Sequence, residues 1–341
     1  DLSTVNLECP LIDKQSPIEK TGPVLGVGSD CVNGLRAASI GAANLANNHI
    51  LDHGSAGLLN TLQVCDEAGI TTFGAGRDIH EAGRIVVRDV KGCRIGLLGM
   101  AEHEFSTASH RRGGANPLDL KSFIRSVDGQ RSEFDYLIVL LHGGNEGYPY
   151  PSPRLMDTCR FLTETGADAV ICQHSHCPGC HENHHGSHIV YGQGNLIFDL
   201  PDREASWYEG FLVRLEIAGD FSSTMSLVPY VQSGRQAGAG RMNPGAEEAL
   251  LNRVEERSGS ILEAGFVEEA WSRFCADKRC KYLNDMLMPC RLLKFLNRRG
   301  LVVNLFYSRK FLMRLLNLVR CQAHREVVET ILRRYQRGTG E

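Results

Sequence analysis

Up to about residue 230, short apolar segments alternate with longer polar segments that are compatible with helices. Apolar runs spaced in this way are typical of buried strands, and the segments between them are typical of helices that cover a sheet. The pattern therefore predicts an α/β fold. Strands are predicted at 1–7, 42–45, 70–73, 84–90, 94–100, 136–141, 169–172, 189–191 and 210–217.

Two of the intervening segments have apolar residues at helical spacing and end in a glycine. The segment 54–69 ends at Gly69, and 153–166 ends at Gly166. Glycine commonly follows the last turn of a helix because it adopts positive φ without a steric penalty. We therefore predict a helix at each of these two places.

Beyond residue 232 the pattern changes. The stretch 233–245 is rich in Gly, Gln, Arg and Ser, which indicates a boundary or a mobile loop. The apolar residues that follow recur largely at helical spacing, although Pro289 should start, end or kink a helix. The predicted organisation is a domain at 1–232, a linker at 233–246 and a helical, basic C-terminal extension at 247–341.

Charge is unevenly distributed along the chain. The formal net charge is −3, but 281–341 contains 13 Lys and Arg against 4 Asp and Glu. These cations lie among Leu, Phe and Val, and a basic amphipathic helix can make peripheral contact with an anionic membrane. Packing on the acidic remainder or on a partner chain explains the pattern equally well. Nucleic-acid binding is not expected, because no recognisable motif for it is present.

Composition and termini bear on the compartment. The sequence contains no run of about 18 apolar residues and no basic start followed by an apolar segment, so it predicts neither a membrane span nor a signal peptide. It begins at Asp1 without Met, which suggests a fragment or a processed form. The twelve cysteines, several of them within apolar runs, are typical of reduced thiols. A cytoplasmic or membrane-associated protein is therefore expected.

Polar residues lie at or just beyond the C-terminal ends of five predicted strands, where open α/β sheets bind ligands. Asn6 and Glu8 follow the first strand and point the same way if the segment is extended. A carboxylate and an amide oxygen there could bind a divalent cation, or could form a solvated strand end.

The second such segment contains Asn47, Asn48 and His49, followed by Asp52. Asn is a poor strand former, so two Asn residues directly after an apolar run indicate a loop held for its polar atoms. An ordinary Asn-rich turn, or an Asn that caps the next helix, is the alternative.

Histidines mark the third and fourth segments. His142 ends a buried-type strand and is followed by two glycines and Glu146, whereas His174 and His176 leave the next strand at i and i+2. Two imidazoles at that spacing can reach one metal centre, and this pair is the strongest single signal in the chain. In the fifth segment, Asn195 follows a Gly-rich turn that we expect to shape the pocket wall.

Together these segments supply three imidazoles, one carboxylate and several amides. The mixture suits two divalent cations, Mn, Fe or Zn, that share a bridging hydroxide and hold a phosphoryl group. His49 would protonate the leaving oxygen, and Asp52 could orient His49. Contacts to the substrate are expected from Asn6, Asn47, Glu146 and Asn195.

A separate zinc site is a competing interpretation of one segment. Cys177 and Cys180 follow the histidine pair directly, and further histidines lie just beyond them. No second Cys pair stands at finger-like spacing, so a polar surface loop is the preferred interpretation.

At these segments the chain resembles the CapA/PgsA-type capsule, or poly-gamma-glutamate, synthesis proteins, a branch of the calcineurin-like metallophosphoesterase superfamily. The matching motifs occur in the family's order and cover residues 1 to about 230. They are Asn6-Leu-Glu8-Cys-Pro10-Leu, Leu45-Ala-Asn47-Asn48-His49 with Asp52 and Gly54, Gly74-Ala-Gly76, His142-Gly-Gly-Asn-Glu146, Gly166-Ala-Asp168-Ala-Val-Ile-Cys-Gln-His174-Ser-His176, and Tyr191-Gly-Gln-Gly194-Asn195-Leu-Ile-Phe198-Asp199.

The resemblance implies a four-layered α/β/β/α sandwich with bound metal. It implies that Asn48 is an amide ligand, that His49 is the catalytic histidine, and that Glu8 stands where the superfamily has a bridging Asp. It also implies imidazole ligands at His142, His174 and His176. The superfamily's opening strand, which carries an Asp and in many enzymes a His, has no counterpart here. This departure weakens the expectation for one of the two metal positions.

Three functions follow from this interpretation. The first is a metal-dependent hydrolase related to bacterial capsule synthesis proteins, acting on a phosphoester or on a polymer-linked anionic substrate. The second is a non-catalytic assembly or export factor that works with the capsule-synthesis machinery. The third is a nucleotide phosphatase or nuclease.

Overall fold

The computed structural model describes residues 1–200, 202–232, 238–288, 290–297, 302–303 and 307–336. The chain forms two compact units, Asp1–Ala270 and Trp271–Glu341. Strands occur in the first unit and helices in both. The strands described are β1 (Thr4–Asn6), β2 (Leu11–Ile12), β3 (Val27–Gly28), β4 (Ala42–Asn44), β5 (Thr71–Phe73), β6 (Ala75–Gly76), β7 (Val86–Val90), β8 (Cys93–Ala101), β9 (Gly114–Ala115), β10 (Tyr136–His142), β11 (Ala169–Gln173), β12 (His181–His184), β13 (Ser187–Val190), β14 (Glu209–Ile217), β15 (Ser223–Gln232) and β16 (Ala239–Arg241).

The helices lie between these strands and after the last of them. Several begin at the residues that favour helix starts: Ser152 caps one helix ahead of Pro153, and Asn243 caps another ahead of Pro244. The helices described are α1 (Val32–Ala37), α2 (Gly54–Glu67), α3 (Ile79–Ala82), α4 (Leu120–Gln130), α5 (Pro153–Glu164), α6 (Ala205–Tyr208), α7 (Pro244–Ser260), α8 (Phe266–Leu287), α9 (Arg291–Leu296), α10 (Arg309–Arg320) and α11 (Gln322–Gln336).

A six-stranded sheet is the centre of the first unit. Its strand order is β12-β13-β11-β10-β8-β7, in which β8, β10, β11 and β13 are parallel and the two edge strands are antiparallel to their neighbours. A parallel three-stranded sheet has the order β1-β4-β5, and an antiparallel one has the order β14-β15-β16. The strand ends that carry the predicted ligands belong to the two parallel arrangements.

Both faces of the six-stranded sheet are buried, as expected for parallel strands. Along β10, Leu137 and Val139 belong to a cluster that includes Phe123 of α4 and Leu162 of α5. The alternate residues, such as Tyr136, belong to a second cluster that includes residues of β4 and β5. The far side of β4 packs in a third cluster with residues of α2. Alternation along each strand thus packs helices on one side of the sheet and strands on the other.

The structure confirms the mixed α/β prediction. Each of the nine predicted strands has a counterpart within one to three residues, and both predicted helices are present. The pattern did not predict β12 or β15, because their polar residues hide the period of a strand. None of the described helices is long and apolar enough to cross a membrane.

Part of the predicted linker and the residue of the predicted helix break lie outside the described residues. Residues 233–237 of the linker lie outside the described residues, and the remainder contains β16 and the start of α7. Pro289 also lies outside them, with α8 ending at Leu287 and α9 beginning at Arg291. Helix α7 belongs to the first compact unit.

Candidate metal centre

The C-terminal ends of four strands bring the predicted ligands together. Strands β1 and β4 are parallel neighbours, as are β10 and β11, so the loops that follow each pair leave the same edge of their sheet. The predicted ligand side chains of four loops or strand ends meet there. They are Glu8, Asn48, His142, His174 and His176.

The carboxylate of Glu8 is the centre of the cluster. Its Oε1 lies 3.4 Å from Nε2 of His142, 3.9 Å from Nδ1 of His174 and 3.8 Å from Nε2 of His176. The side-chain oxygen of Asn48 lies 3.1 Å from Nε2 of His142. One carboxylate oxygen, one amide oxygen and three imidazole nitrogens therefore converge within a few ångströms.

Two of these atoms have no hydrogen-bond partner within the part of the chain that the structure describes. Oε1 of Glu8 and Nδ1 of His174 are buried, and neither atom takes part in a hydrogen bond. Buried polar atoms rarely remain unpaired, since burial without a partner costs free energy. Two ligands about 2.0–2.2 Å from a tetrahedral zinc lie about 3.4 Å apart, close to the spacing found here. The residues thus fit a divalent cation.

Among the described residues, two groups of three donor residues have the proximity that a metal ion needs. One contains Glu8, His142 and His174, and the other consists of the surface residues Glu164, His184 and His185. Neither group includes Cys177 or Cys180, so the structure gives the alternative zinc site no further donor.

The backbone of the histidine pair is in a conformation that side chains seldom adopt. His174 has φ +101° and His176 has φ +54°, although neither is glycine. Non-glycine residues in this region are costly and persist where the surrounding structure requires them, which occurs most often at functional sites. Here the conformation turns both imidazoles toward Glu8.

A hydrogen bond with Asn195 orients the imidazole of His176. Its Nδ1 lies 2.7 Å from the side-chain oxygen of Asn195, which leaves Nε2 directed at Glu8. The rings of Phe198 and Trp207 lie 5.5 and 5.1 Å from the His176 ring. A hydrogen bond to the second nitrogen is what fixes the orientation of metal-ligating histidines.

Electrostatics favours the protonation state that binds metal at Glu8 and at His142 and opposes it at His174. Burial lowers the pKa of His174, but the Glu8 carboxylate outweighs burial and raises this pKa. Burial raises the pKa of Glu8, but the His142, His174 and His176 side chains outweigh burial and lower this pKa well below its usual range. Burial lowers the pKa of His142. Metal ligands must be deprotonated, so an ionised Glu8 and a neutral His142 are the required forms.

The pair His49 and Asp52 lies close by and is buried. Nδ1 of His49 is 2.6 Å from Oδ2 of Asp52, an oxygen that also accepts a hydrogen bond from the backbone N–H of Leu25 at 2.7 Å. The ammonium of Lys20 lies 2.5 Å from Oδ1 of Asp52 and 3.2 Å from Nδ1 of His49. Burial raises the pKa of Asp52, and these partners outweigh it and lower the pKa.

The remaining predicted residues occupy different surroundings. The Asn47 side chain donates to the carbonyl of Leu7 and accepts from the backbone N–H of His49, so both of its polar ends bond to the backbone. Asn6 lies 3.4 Å from Nδ1 of His142, and Glu146 is exposed. Substrate contacts by these three residues stay predictions, as do those by Asn195.

Lys20 and Trp207 are the neighbours that sequence reasoning missed. Lys20 comes from a loop without periodicity, and its side chain is only 3% exposed. Trp207 belongs to the short helix α6, and its backbone oxygen accepts a hydrogen bond from Asn195. A lysine and a tryptophan in polar segments give no sequence signal of burial, although Trp207 is one of only two tryptophans in the chain.

Comparison with known proteins sets this geometry in a family. Residues 1–200 match the family described as bacterial capsule synthesis protein PGA_cap. The chain belongs to this family. The match confirms the resemblance to the capsule-synthesis family that the six motifs indicate.

Three relatives illustrate the range of the family. A capsule biosynthesis protein CapA of Bacillus anthracis is 28% identical over 217 residues, which is 62% of this chain and 52% of that protein. A PGA biosynthesis protein CapA of Bacillus subtilis is 28% identical over 178 residues, which is 51% of this chain and 47% of that protein. A probable polyglutamine synthesis accessory protein of Mycobacterium tuberculosis is 30% identical over 213 residues, which is 58% of this chain and 56% of that protein. The chain therefore spans about half the length of these relatives.

Proposed function

We propose that this chain is a metal-dependent hydrolase that acts on a phosphoester or on an anionic polymer-linked substrate in capsule or poly-glutamate biosynthesis. One observation carries the proposal: a buried Glu8 oxygen and a buried His174 nitrogen form no hydrogen bond among the described residues and lie 3.9 Å apart beside His142. The distance is too long for a hydrogen bond and suits two ligands of one cation.

The ligands we assign are Glu8, Asn48, His142, His174 and His176, with two divalent ions of Mn, Fe or Zn as the bound metals. A bound cation would lower the pKa of a coordinated water and polarise a phosphoryl oxygen. Glu8 is central to the ligand set and is the residue that could bridge two ions. The four-layered α/β/β/α arrangement belongs to the same proposal and is supported by the packing of α2 on β4 and of α4 and α5 on the six-stranded sheet.

Proton transfer is assigned to His49. Asp52 accepts a hydrogen bond from Nδ1–H of protonated His49, and Nε2–H is left to donate its proton to the leaving oxygen of the substrate. Because Asp52 is itself held by Lys20 and by the backbone N–H of Leu25, the imidazole orientation is set before substrate binds.

The test is hydrolysis of phosphomonoesters, phosphodiesters and poly-γ-glutamate by the full chain in the presence of Mn²⁺. We expect turnover of at least one of these substrates, and a fall of about 10²–10⁴-fold in turnover for His49→Ala with metal content unchanged. His110→Ala, at an exposed histidine, is the matched control and should retain full activity. Metal-loaded protein without activity on any of these substrates contradicts the hydrolase. Preference for nucleotides or nucleic acids would instead assign a phosphatase or nuclease.

A non-catalytic role in assembly or export is the second candidate. It is favoured by the name of the Mycobacterium tuberculosis relative, which is described as an accessory protein. Complementation of a capsule-deficient strain separates the two candidates. Polymer production that survives both His49→Ala and His142→Ala supports the accessory role, and loss of production in both variants supports the enzyme.

A further inference from the structure

The helix α10 has one apolar face and one basic face. Its apolar residues recur at the spacing of a single helix face. We define the apolar face of α10 as Phe311, Leu312, Leu315, Leu316 and Val319. Such a separation of faces is typical of a helix that buries one side against an apolar environment.

Three of these five side chains are exposed in the structure, and Leu312 and Leu315 are half-buried. Phe311 is 41% exposed, Leu316 is 59% exposed and Val319 is 48% exposed. Helix α11 lies beside α10, with the side chains of Asn317 and His324 3.2 Å apart, yet it does not cover these residues. Contiguous exposed apolar surface on a folded chain marks an interaction site.

Helix α11 also exposes large apolar side chains. Val327 is 58% exposed, Ile331 is 49% exposed and Leu332 is 58% exposed. Two consecutive helices therefore present large apolar side chains within the described part of the second unit. A single exposed leucine needs no explanation, whereas a cluster of this size does.

The charge of the region identifies the occupant. Arg309, Lys310 and Arg314 are exposed, and no acidic residue occurs between Arg309 and Arg320. The whole segment 271–341 contains 16 Lys and Arg against 5 Asp and Glu. Two copies packed through α10 on α10 would bring the same positive charge against itself. A nucleic acid would pair with the cations but leave the apolar face in water.

We propose that α10 lies in the surface of an anionic membrane, with its apolar face among the acyl chains and its cations at the lipid headgroups. A helix with a strong apolar face and a Lys/Arg-rich polar face is the kind that binds in the plane of the interface. Anionic lipid supplies the opposite charge, which a neutral membrane lacks. This proposal does not depend on the hydrolase assignment.

Co-sedimentation of the full chain with vesicles tests the proposal. We expect binding to phosphatidylcholine vesicles that contain about 30% phosphatidylglycerol, and binding at least about tenfold weaker to phosphatidylcholine alone. Raising the salt concentration should weaken the anionic binding because surface charges are screened. Equal binding to both vesicles, or binding to neither, overturns the proposal.

Two kinds of variant separate the contributions. Leu316→Glu should reduce vesicle binding about tenfold or more, whereas Leu262→Glu, at a leucine that is 64% exposed in the first unit, should leave it unchanged. Because a charge in the apolar face could also disturb the helix, Arg309→Gln with Arg314→Gln provides a second test that leaves the apolar face intact. These two changes should weaken binding of the chain to the anionic vesicles and make that binding less sensitive to salt. A concentration-dependent dimer that is lost in Leu316→Glu, without vesicle binding by the parent chain, would assign the face to self-association and contradict the proposal.

Discussion

Lys20 shows how much of this centre depends on a residue outside the ligand set. Its ammonium is buried against Asp52, which in turn binds His49. Substitution of Lys20 by Met leaves the Asp52 carboxylate buried with one fewer charge-assisted contact. Breaking a buried ion pair by removing one partner costs about 3–5 kcal/mol, and we expect the lower end because Leu25 N–H and His49 still bond to Asp52.

Denaturant unfolding measures this effect. Lys20→Met should lower the free energy of unfolding by about 3 kcal/mol. Lys14→Met, at an exposed lysine of the same loop, should change it by less than about 0.5 kcal/mol. Equal stability of the two variants would mean that Lys20 does not hold Asp52.

Asn195 is the second residue whose effect reaches the centre through a neighbour. Its side-chain oxygen holds Nδ1 of His176, so Asn195→Ala should let the imidazole rotate. Loss of such an orienting partner typically weakens metal affinity about 10–100-fold. Titration calorimetry with Mn²⁺ should show this loss, and Asn195→Asp, which keeps the acceptor oxygen, should recover much of it. Unchanged Mn²⁺ affinity in Asn195→Ala would mean that Asn195 lines the pocket without orienting His176.

Residue types and spacing at the site predicted part of what the structure contains. His174 and His176 stand two apart after a buried strand, and the structure brings both toward Glu8. The different surroundings of Asn195 and Lys20 depend on segments distant in sequence. Asn195 was predicted to line the pocket, but its amide binds His176, a contact that requires the loop after β13 to return to the loop after β11. No local pattern encodes such a contact.

Among the elements, β8 and β10 form the middle of the sheet, and one ion pair joins their starts. The Arg94 guanidinium binds both carboxylate oxygens of Asp135, at 3.0 and 2.6 Å, just before β10 begins. The side chain and backbone of Arg94 lower the pKa of Asp135 to about 2. An unfolded Asp has a pKa of about 3.9.

The pH dependence of stability follows from this difference. A carboxyl group whose pKa is lower in the folded chain contributes stability above its unfolded pKa and loses it as the pH falls toward its folded pKa. The contribution of Asp135 should therefore be complete above about pH 4 and disappear between about pH 4 and pH 2. Thermal unfolding across this range should show a shallower decline for Asp135→Asn than for the parent chain. Asp128→Asn, on the exposed face of α4, is the control and should follow the parent, and identical curves for all three proteins would contradict the assignment.

The elements differ in how well hydrophobic periodicity predicts them. Strand β10 is apolar throughout, because both of its faces are buried, and its short length and flanking polar residues mark it as a strand. Strand β12 contains His, Glu and Asn. The carboxylate of its buried Glu182 accepts hydrogen bonds from Arg160 of α5 and from the hydroxyl of Tyr191. Burial of that carboxylate depends on two partners distant in sequence. Period analysis cannot detect an edge strand of this kind.

At the scale of the whole molecule, the chain combines a cluster of candidate metal ligands in an acidic first unit with a basic helical second unit. Membership in the PGA_cap family places the first 200 residues among bacterial capsule synthesis proteins. Our two proposals assign hydrolysis to the first unit and attachment to an anionic surface to the second. They can fail independently, because metal binding and vesicle binding are measured on different variants.

The metal content of the purified chain is the most direct test of the central proposal. After incubation with Mn²⁺ or Zn²⁺ and removal of free ions, elemental analysis should find about two divalent ions per chain. His174→Ala should lose most of one ion, and His110→Ala, at an exposed histidine, should retain both. A folded parent chain that binds no divalent metal under these conditions would contradict the account.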